Sequence, residues 1–257
     1  MRKGVAKRRL FSLYPRKEVY TMPQTLWNGG PILHQSPGVF PMGTDSVLLA
    51  HFAQPGKKDR ILDLGTGTGI LPILLSYERP AVTVTALEQS EVACETAEMN
   101  FNENSLADRI TLIQGDLRQH RTLIKTGQYD LTISNPPYFS FGSGPDAEAG
   151  LKDARGDSTC TLTELCQAAA WATRWGGRFC LVFRPDRICD LLYALREAGF
   201  EPKRLRPVHH SPGDPVNLIL VDARRGGNPG LIWENDLYLR DENGNESPEL
   251  QRIYRRT

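Results

Sequence analysis

The feature that most constrains this chain is a glycine-rich turn, Asp63-Leu-Gly-Thr-Gly-Thr-Gly69, directly after a short apolar run. Gly65, Gly67 and Gly69 leave the backbone without side chains where a strand passes into a helix, which is how a nucleotide half-site is made. The pattern is G-x-G-x-G, preceded by an acid, and differs from the G-x-G-x-x-G of dinucleotide-binding folds. The turn therefore favours a ligand with a nucleoside and an amino-acid moiety over one with a pyrophosphate.

Short apolar runs alternate with helical patterns from residue 60 to about residue 222, which indicates a parallel sheet with crossover helices. We predict an α/β fold with a mostly parallel sheet, helices on both faces and an antiparallel terminal strand. The predicted strands are Arg60–Leu64, Val82–Glu88, Ile110–Gln114, Tyr129–Ser134, Arg178–Phe183, Glu201–Val208 and Val216–Val221. The predicted helices are Gly69–Tyr77, Ser90–Glu103, Leu162–Trp175 and Asp186–Gly199, the last with Asp186 as its N-cap.

Three segments make up the predicted domain organisation. A basic N-terminal segment covers residues 1–30, the α/β domain covers residues 31–225, and an extension over residues 226–257 packs on the same domain. Within the extension, Leu231–Leu239 alternates between apolar and polar residues as an edge strand does. Residues 139–160 are rich in Gly, Ser, Ala and Asp and predict a long loop, a kind that is usually functional or disordered.

A short helix is predicted ahead of the glycine-rich turn. Thr44-Asp-Ser46 offers N-cap chemistry for an apolar helix over Val47–Phe52. This helix places Gly43 and Asp45 at the mouth of the sheet, and we count both as cofactor-binding candidates.

Composition narrows the classes of protein further. With 257 residues, 40% hydrophobic and 24% charged, the chain suits an ordinary globular protein. No apolar run approaches the roughly 20 residues that cross a bilayer, and none follows the basic N-terminus as in a signal peptide, so we expect a cytoplasmic protein without membrane contact. Five cysteines and five histidines lack metal-ligand spacing, which predicts reduced packing thiols and no metal. We expect a monomer or a weak homodimer.

Acidic residues follow the predicted strands at positions that suit a nucleoside. Glu88 ends the second of these strands, 19 residues after the last loop glycine, where a carboxylate accepts both ribose hydroxyls. Asp116 follows the third and is placed to accept from an adenine amino group, although Gly-Asp is also ordinary turn chemistry. Asp63 is expected to hold the loop and to meet the ammonium end of the ligand.

An Asn-Pro-Pro-Tyr motif follows the fourth of these strands, at the carboxyl edge where open α/β sheets bind substrates. Its two prolines stiffen the backbone and remove two donors, so that only acceptors face the pocket. The side-chain oxygen of Asn135 and the carbonyl of Pro136 can each accept an N–H bond from a planar amine, which frees its lone pair for attack. Tyr138 offers an aromatic face to a flipped-out base, with Phe139 or Phe141 on its other side.

At these motifs the chain resembles class I methyltransferases of the N-P-P-Y amino-methylating group, which use S-adenosylmethionine (SAM). More narrowly, it resembles the bacterial family that methylates N6 of the adenine next to the anticodon of a valine tRNA. The narrower match rests on Met42–Ala50, Asn217–Gly227 and Glu249–Tyr254. The resemblance implies a Rossmann-like class I methyltransferase fold, SAM as the cofactor and tRNA as the substrate.

The resemblance also implies roles for single residues. Asn135 and Tyr138 are implied as the catalytic and base-holding pair, and Asn135 also borders the cofactor. The residues implied around the cofactor are Gly65, Gly67, Glu88 and Asp116. For RNA contact we predict Lys152 and Arg155, with Arg204, Arg206 and the basic N-terminal cluster as secondary phosphate contacts. Simple solubility explains such charges about equally well.

Several alternatives stay open at the level of sequence. A glutamine side chain fits the same acceptors, but glutamine N5-methyltransferases generally carry a helical domain before the glycine loop. An rRNA guanine N2-methyltransferase is chemically possible. A catalytically silent RNA-binding factor would keep the fold without the reaction. An NAD-dependent dehydrogenase is disfavoured because the chain lacks G-x-G-x-x-G.

Overall fold

The computed structural model describes residues 23–36, 43–136 and 160–256. The strands are β1 Gln24–Thr25, β2 Ile32–Leu33, β3 Arg60–Leu64, β4 Thr83–Glu88, β5 Ile110–Gln114, β6 Tyr129–Ser134, β7 Thr173–Phe183, β8 Phe200–His209, β9 Val216–Arg225, β10 Ile232–Trp233 and β11 Leu237–Tyr238. The helices are α1 Thr44–Ala53, α2 Ile70–Glu78, α3 Glu91–Glu103, α4 His120–Leu123, α5 Leu162–Ala172, α6 Ile188–Glu197 and α7 Pro248–Ile253.

The main sheet has the order β5-β4-β3-β6-β7-β9-β8, with β10 and β11 both paired parallel to β8. Strands β3 to β7 are parallel, whereas β9 lies antiparallel between β7 and β8. The predicted α/β class and antiparallel terminal strand are therefore confirmed. After β3 the chain adds β4 and β5 on one side and β6 on the other, and such a reversal opens a crevice at the carboxyl ends of the strands.

The central strands are apolar on both faces because helices cover both sides of the sheet. In β7, Phe179, Leu181 and Phe183 point into a core shared with α5 and α6. Cys180 and Val182 point the opposite way, into a core shared with α1, α2 and α7. This alternation follows the two-residue period of a strand, and it fixes β7 in the middle of two hydrophobic layers.

The predicted N-cap of the first helix is wrong. Helix α1 begins at Thr44 with Gly43 in the cap position, and within the described ranges no side chain caps it. The two hydroxyls that suggested a cap bond elsewhere: Ser46 Oγ accepts from Asn135 at 2.9 Å, and Thr44 Oγ1 accepts from the Tyr254 hydroxyl at 3.4 Å. These side chains join α1 to distant segments instead of to its own backbone.

The predicted helix Leu162–Trp175 is also wrong at its end. Helix α5 ends at Ala172 and β7 begins at once with Thr173. The Thr173 hydroxyl bonds to Ala169 O at 2.7 Å and to the Thr132 hydroxyl at 2.7 Å, so this residue joins the helix to β6. Pairing with β6 therefore overrides the helical pattern of the residues that follow.

Two further expectations need correction. Asp186 does not cap α6, because its carboxylate accepts from Arg184 at 2.9 and 2.7 Å, and α6 begins at Ile188 after a short 3₁₀ turn. The predicted edge strand Leu231–Leu239 is two short strands, β10 and β11. All five cysteines are free thiols, but Cys189 is exposed and is not a packing residue. Among the described residues, no helix has the length and apolar character needed to cross a membrane.

Candidate active site

The glycine-rich turn joins β3 to α2 with all three glycines in the left-handed region, at φ values of 75°, 56° and 83° for Gly65, Gly67 and Gly69. A Cβ built on Gly65 or Gly67 would meet nothing within 4 Å, so both glycines border open space. A Cβ on Gly69 would lie 2.4 Å from the Phe101 ring. The first two glycines thus form a cradle for a ligand, and the third permits close packing of α2 on α3.

Glu88, at the end of β4, is bonded to the glycine loop. Its Oε2 accepts from Gly67 N at 2.9 Å, and its Oε1 accepts from Gln89 N and Ser90 N, both at 2.9 Å. The structure therefore gives this carboxylate a role that sequence reasoning did not assign, since it holds the backbone of the turn. Glu88 therefore lies beside the cradle, where the sequence predicts a carboxylate that accepts from the ribose hydroxyls.

Asp63, two residues before Gly65, is fully buried. Neither carboxylate oxygen has a hydrogen-bond partner among the described residues. Burial raises its pKa to about 7, the neighbouring Thr66 hydroxyl opposes this rise, and the charge of Glu88 adds to it. The Thr66 hydroxyl is near Asp63 but makes no hydrogen bond to it or to any other described residue. A buried, unpaired carboxyl is costly on its own, and an ammonium group would satisfy it, so the cradle fits the amino-acid end of SAM.

Asp116 caps a short 3₁₀ turn after β5. Its carboxylate accepts from Arg118 N at 2.9 Å and pairs with the Arg118 guanidinium, which lowers the pKa of Asp116. The turn role weighed in the sequence is therefore the one observed. Contact with an adenine amino group would require the arginine to share these oxygens.

Asn135 and Pro136 follow β6 at the carboxyl edge of the sheet. Just before them, the Ser134 hydroxyl donates to Leu64 O at 2.7 Å, which ties the end of β6 to the start of the glycine loop. Asn135 Nδ2 donates to Ser46 Oγ at 2.9 Å, and Ser46 is buried in α1. In this orientation of the amide, Nδ2 is the donor and Oδ1 is the acceptor atom. Sequence reasoning missed both serines.

Other predicted site residues divide into two groups. Gly43 and Asp45 flank the first residue of α1, three positions and one position before Ser46, and both are partly exposed. The substrate-contact candidates Tyr138, Phe139, Lys152 and Arg155 lie outside the described residues, as do the predicted loop up to residue 159 and the basic cluster in residues 1–20.

A buried polar ladder on α3 supports the cofactor side of the site. Asn100 is fully buried, and its Nδ2 donates to Thr68 O at 2.9 Å and to His34 O at 3.1 Å. Its Oδ1 accepts from His34 N at 2.7 Å. One turn on, Asn104 exchanges two hydrogen bonds with the backbone of Ile32 at 2.9 and 2.7 Å. The ladder fastens the β2 segment and the glycine loop to the same helix.

Two arginines predicted as secondary RNA contacts are engaged within the protein. Arg204 pairs with Glu234 and with buried Asp222, and Arg206 Nη2 donates to both carboxylate oxygens of Glu249 at 2.8 and 2.9 Å. Because carboxylates already neutralise them, neither is a strong site for a phosphate. In the described part of the chain, no group of three or more His, Cys, Asp or Glu residues is arranged to hold a metal.

Comparisons with known proteins point in one direction. Residues 31–190 match the family model described as the methyltransferase small domain. The tRNA1(Val) (adenine(37)-N6)-methyltransferase of Tolumonas auensis is 37% identical over 213 residues, which cover 81% of this chain and 86% of that protein. The protein of the same name from Porphyromonas gingivalis strain ATCC 33277 is 34% identical over 221 residues, with 82% and 86% covered.

Solved structures share the fold. A protein from Agrobacterium tumefaciens, described as a predicted O-methyltransferase, superposes with a TM-score of 0.69 and 20% sequence identity. The match covers 82% of this chain and 95% of that protein. At this identity the likeness concerns the fold, and chemistry has to be argued from the site.

Proposed function

Because the chain belongs to the family of tRNA1(Val) (adenine(37)-N6)-methyltransferases, we propose that it transfers the methyl group of SAM to N6 of adenine 37 in a valine tRNA. The family predicted from the sequence is confirmed, as are a SAM-dependent methyltransferase activity and SAM as the cofactor. The observation that carries the proposal is the Asn135 amide at the carboxyl edge of the sheet, where its Nδ2 donates to Ser46 Oγ at 2.9 Å.

The difficulty of the reaction lies in the nucleophile. The exocyclic nitrogen of adenine is planar because its lone pair is delocalised into the ring. We assign Asn135 Oδ1 and the Pro136 carbonyl as acceptors for its two N–H bonds. Two acceptors draw the nitrogen toward tetrahedral geometry and free the lone pair for the methyl carbon. The N–H proton leaves to solvent after transfer, so no strong general base is required.

The cofactor side follows from the cradle. When bound, SAM supplies an electrophilic methyl group on a sulfonium. Asp63 is assigned to its ammonium group, Gly65 and Gly67 to close passage of the backbone, and Glu88 to the ribose hydroxyls. These residues bind and orient SAM. Alignment of two bound reactants can by itself lower the reaction barrier by roughly 7 to 11 kcal/mol. Since β3 and β6 are bonded through Ser134 and Leu64, the two halves are held in register.

The test is methyl transfer from labelled SAM into unmodified valine tRNA, followed by digestion to nucleosides. The proposal predicts label in N6-methyladenosine, with no label when adenine 37 is replaced by guanine. Label in N2-methylguanosine, or only in protein glutamine, would replace this function with one of the alternatives. Absence of transfer to any tRNA or rRNA, in a preparation that binds SAM, would reject methylation of RNA.

A further inference from the structure

A second concave site borders helix α1, the helix that also carries Ser46. A cleft of about 380 Å³ opens between the first turn of α1 and the C-terminal segment. Its polar lining comprises Thr44, His210, Arg240, Glu246 and Arg256. Thr44 lines the cleft, and Ser46, the partner of Asn135, is two residues further along the same turn of α1.

The topology places this cleft on the substrate side of the sheet. Strand β8 is antiparallel to β9, and β9 is antiparallel to β7, so β8 runs in the same direction as β6 and β7. Strand β11 is parallel to β8. His210 and Arg240, which follow these two strands, therefore leave the sheet at the same edge as Asn135. Arg240 N donates to His210 O at 2.8 Å, which keeps the two segments together.

The cations in the cleft are only partly compensated. Arg240 donates to the neutral carbonyl of Gly244 at 2.7 Å and makes no ion pair within the described ranges. Arg256 pairs with Glu246 and lies 4.6 Å from the centre of the Tyr254 ring. Two arginines thus face one glutamate in the cleft, with Asp45 as a further acid in the first turn of α1. Arg204 and Arg206 are held by carboxylates, as Arg256 is, so Arg240 is the arginine of this group most available to an anion.

We propose that this cleft binds a phosphate group of the RNA backbone close to the target adenosine. The proposal rests on the proposed function, since an RNA must lie across Asn135. Phosphate contacts fix the register and orientation of a nucleic acid, and arginine is suited to them because its planar fork binds phosphate oxygens in pairs. Arg240 supplies a guanidinium that makes no ion pair with any described residue. Arg256 contributes by exchanging part of its contact with Glu246 for a contact with the phosphate. The C-terminal extension is thereby a substrate-binding element.

The experiment measures tRNA binding by the full-length protein as a function of KCl concentration. Each phosphate contact adds roughly 0.7 to 0.9 to the slope of log affinity against log salt. Arg240→Gln and Arg256→Gln are expected each to reduce the slope by up to this amount, to raise the KM for tRNA severalfold, and to leave the Kd for SAM unchanged. Arg240→Lys keeps the charge and is expected to keep the slope.

Arg174→Gln is the matched control. Arg174 is 48% exposed and paired with Asp130, much as Arg256 is 43% exposed and paired with Glu246, but it lies at the start of β7, on the opposite edge of the sheet. Cleft variants with the salt slope and tRNA KM of this control would overturn the proposal. If the wild-type protein methylates tRNA in the same preparations, that result overturns only the phosphate-binding role of the cleft and leaves the proposed function standing. If it transfers no methyl group to tRNA, both proposals fail.

Discussion

Asn135 Nδ2 and Ser46 Oγ lie 2.9 Å apart, although the two residues are 89 positions apart in the chain. The bond joins the residue after β6 to helix α1 and restricts rotation of the amide side chain. Ser46→Ala removes it, and we expect kcat to fall roughly threefold to tenfold, the value of one hydrogen bond, with the Kd for SAM unchanged. Steady-state kinetics with tRNA and calorimetry with SAM measure the two quantities.

Ser76→Ala is the control for this substitution. Ser76 is also a buried serine on a helix, but its hydroxyl has no hydrogen-bond partner among the described residues. It is expected to leave kcat unchanged. Equal effects of the two variants on kcat would show that Ser46 does not position the amide.

The affinity for SAM is expected to depend on pH through Asp63. Burial holds the pKa of this carboxyl at about 7, so the form that pairs with an ammonium group is a minority at pH 6 and about half at pH 7. Calorimetry should show the affinity rising roughly fivefold over that interval, below the range where α-amino groups lose their proton. Asp63→Asn should bind more weakly and with a flat pH profile. A steep profile retained in this variant would assign the titration to another group.

The same carboxyl sets a stability trend in the ligand-free protein. Its pKa is raised in the folded state from 3.8 to about 7, so the folded state binds the proton more tightly than the unfolded chain. The free energy of unfolding therefore decreases as pH rises between these values, and this contribution disappears in Asp63→Asn. Urea denaturation of both proteins at pH 5 and pH 7.5 measures the difference. An equal change in the two proteins would contradict the assignment.

Gly67→Ala and Gly69→Ala should have different consequences. Both residues have positive φ, which costs an alanine about 1 to 2 kcal/mol. A Cβ added at Gly69 would lie 2.4 Å from the Phe101 ring, whereas one added at Gly67 meets nothing within 4 Å. The free energy of unfolding of Gly69→Ala should therefore fall by roughly 1 to 3 kcal/mol more than that of Gly67→Ala. Gly67→Ala should instead lose mainly SAM affinity, because its Cβ enters the cradle. Similar losses of stability in the two variants would contradict this division.

Asn100→Ala is expected to reduce both stability and SAM affinity. The substitution leaves the carbonyls of Thr68 and His34 and the amide of His34 without their partners, at roughly 1 to 3 kcal/mol for each group left buried. Exposed Asn102 on the same helix is the control, and Asn102→Ala should change neither property. Thermal unfolding with and without SAM separates the two effects. If SAM raises the melting temperature of Asn100→Ala as much as that of the wild type, the hydrogen bonds of Asn100 do not contribute to SAM binding.

The sequence predicted the elements whose signals are local. The glycine turn, the run of Arg60–Leu64 and the acid at Glu88 each depend on neighbours within a few residues, and the structure has them where the pattern placed them. The end of α5 was not predictable in this way, because Thr173 is fixed by a bond to Thr132 on another strand.

Polar residues were harder to interpret than apolar ones. Asn100 and Asn104 belong to no motif in the sequence, yet their side chains bond to the backbone of His34 and Ile32. Ser46 gave the signal of a helix cap and serves as a partner of Asn135. Such roles depend on what the fold brings opposite a side chain, which no local pattern encodes.

The central claim is that the Asn135 amide activates the amine and does not merely end a strand. The measurement is the single-turnover rate of methyl transfer to valine tRNA by Asn135→Ala, at saturating SAM and tRNA, beside its Kd for SAM. We predict that the rate falls at least roughly a hundredfold while SAM still binds. A loss of this size is typical when one hydrogen bond to the transition state is removed. A rate within threefold of the wild type would contradict it.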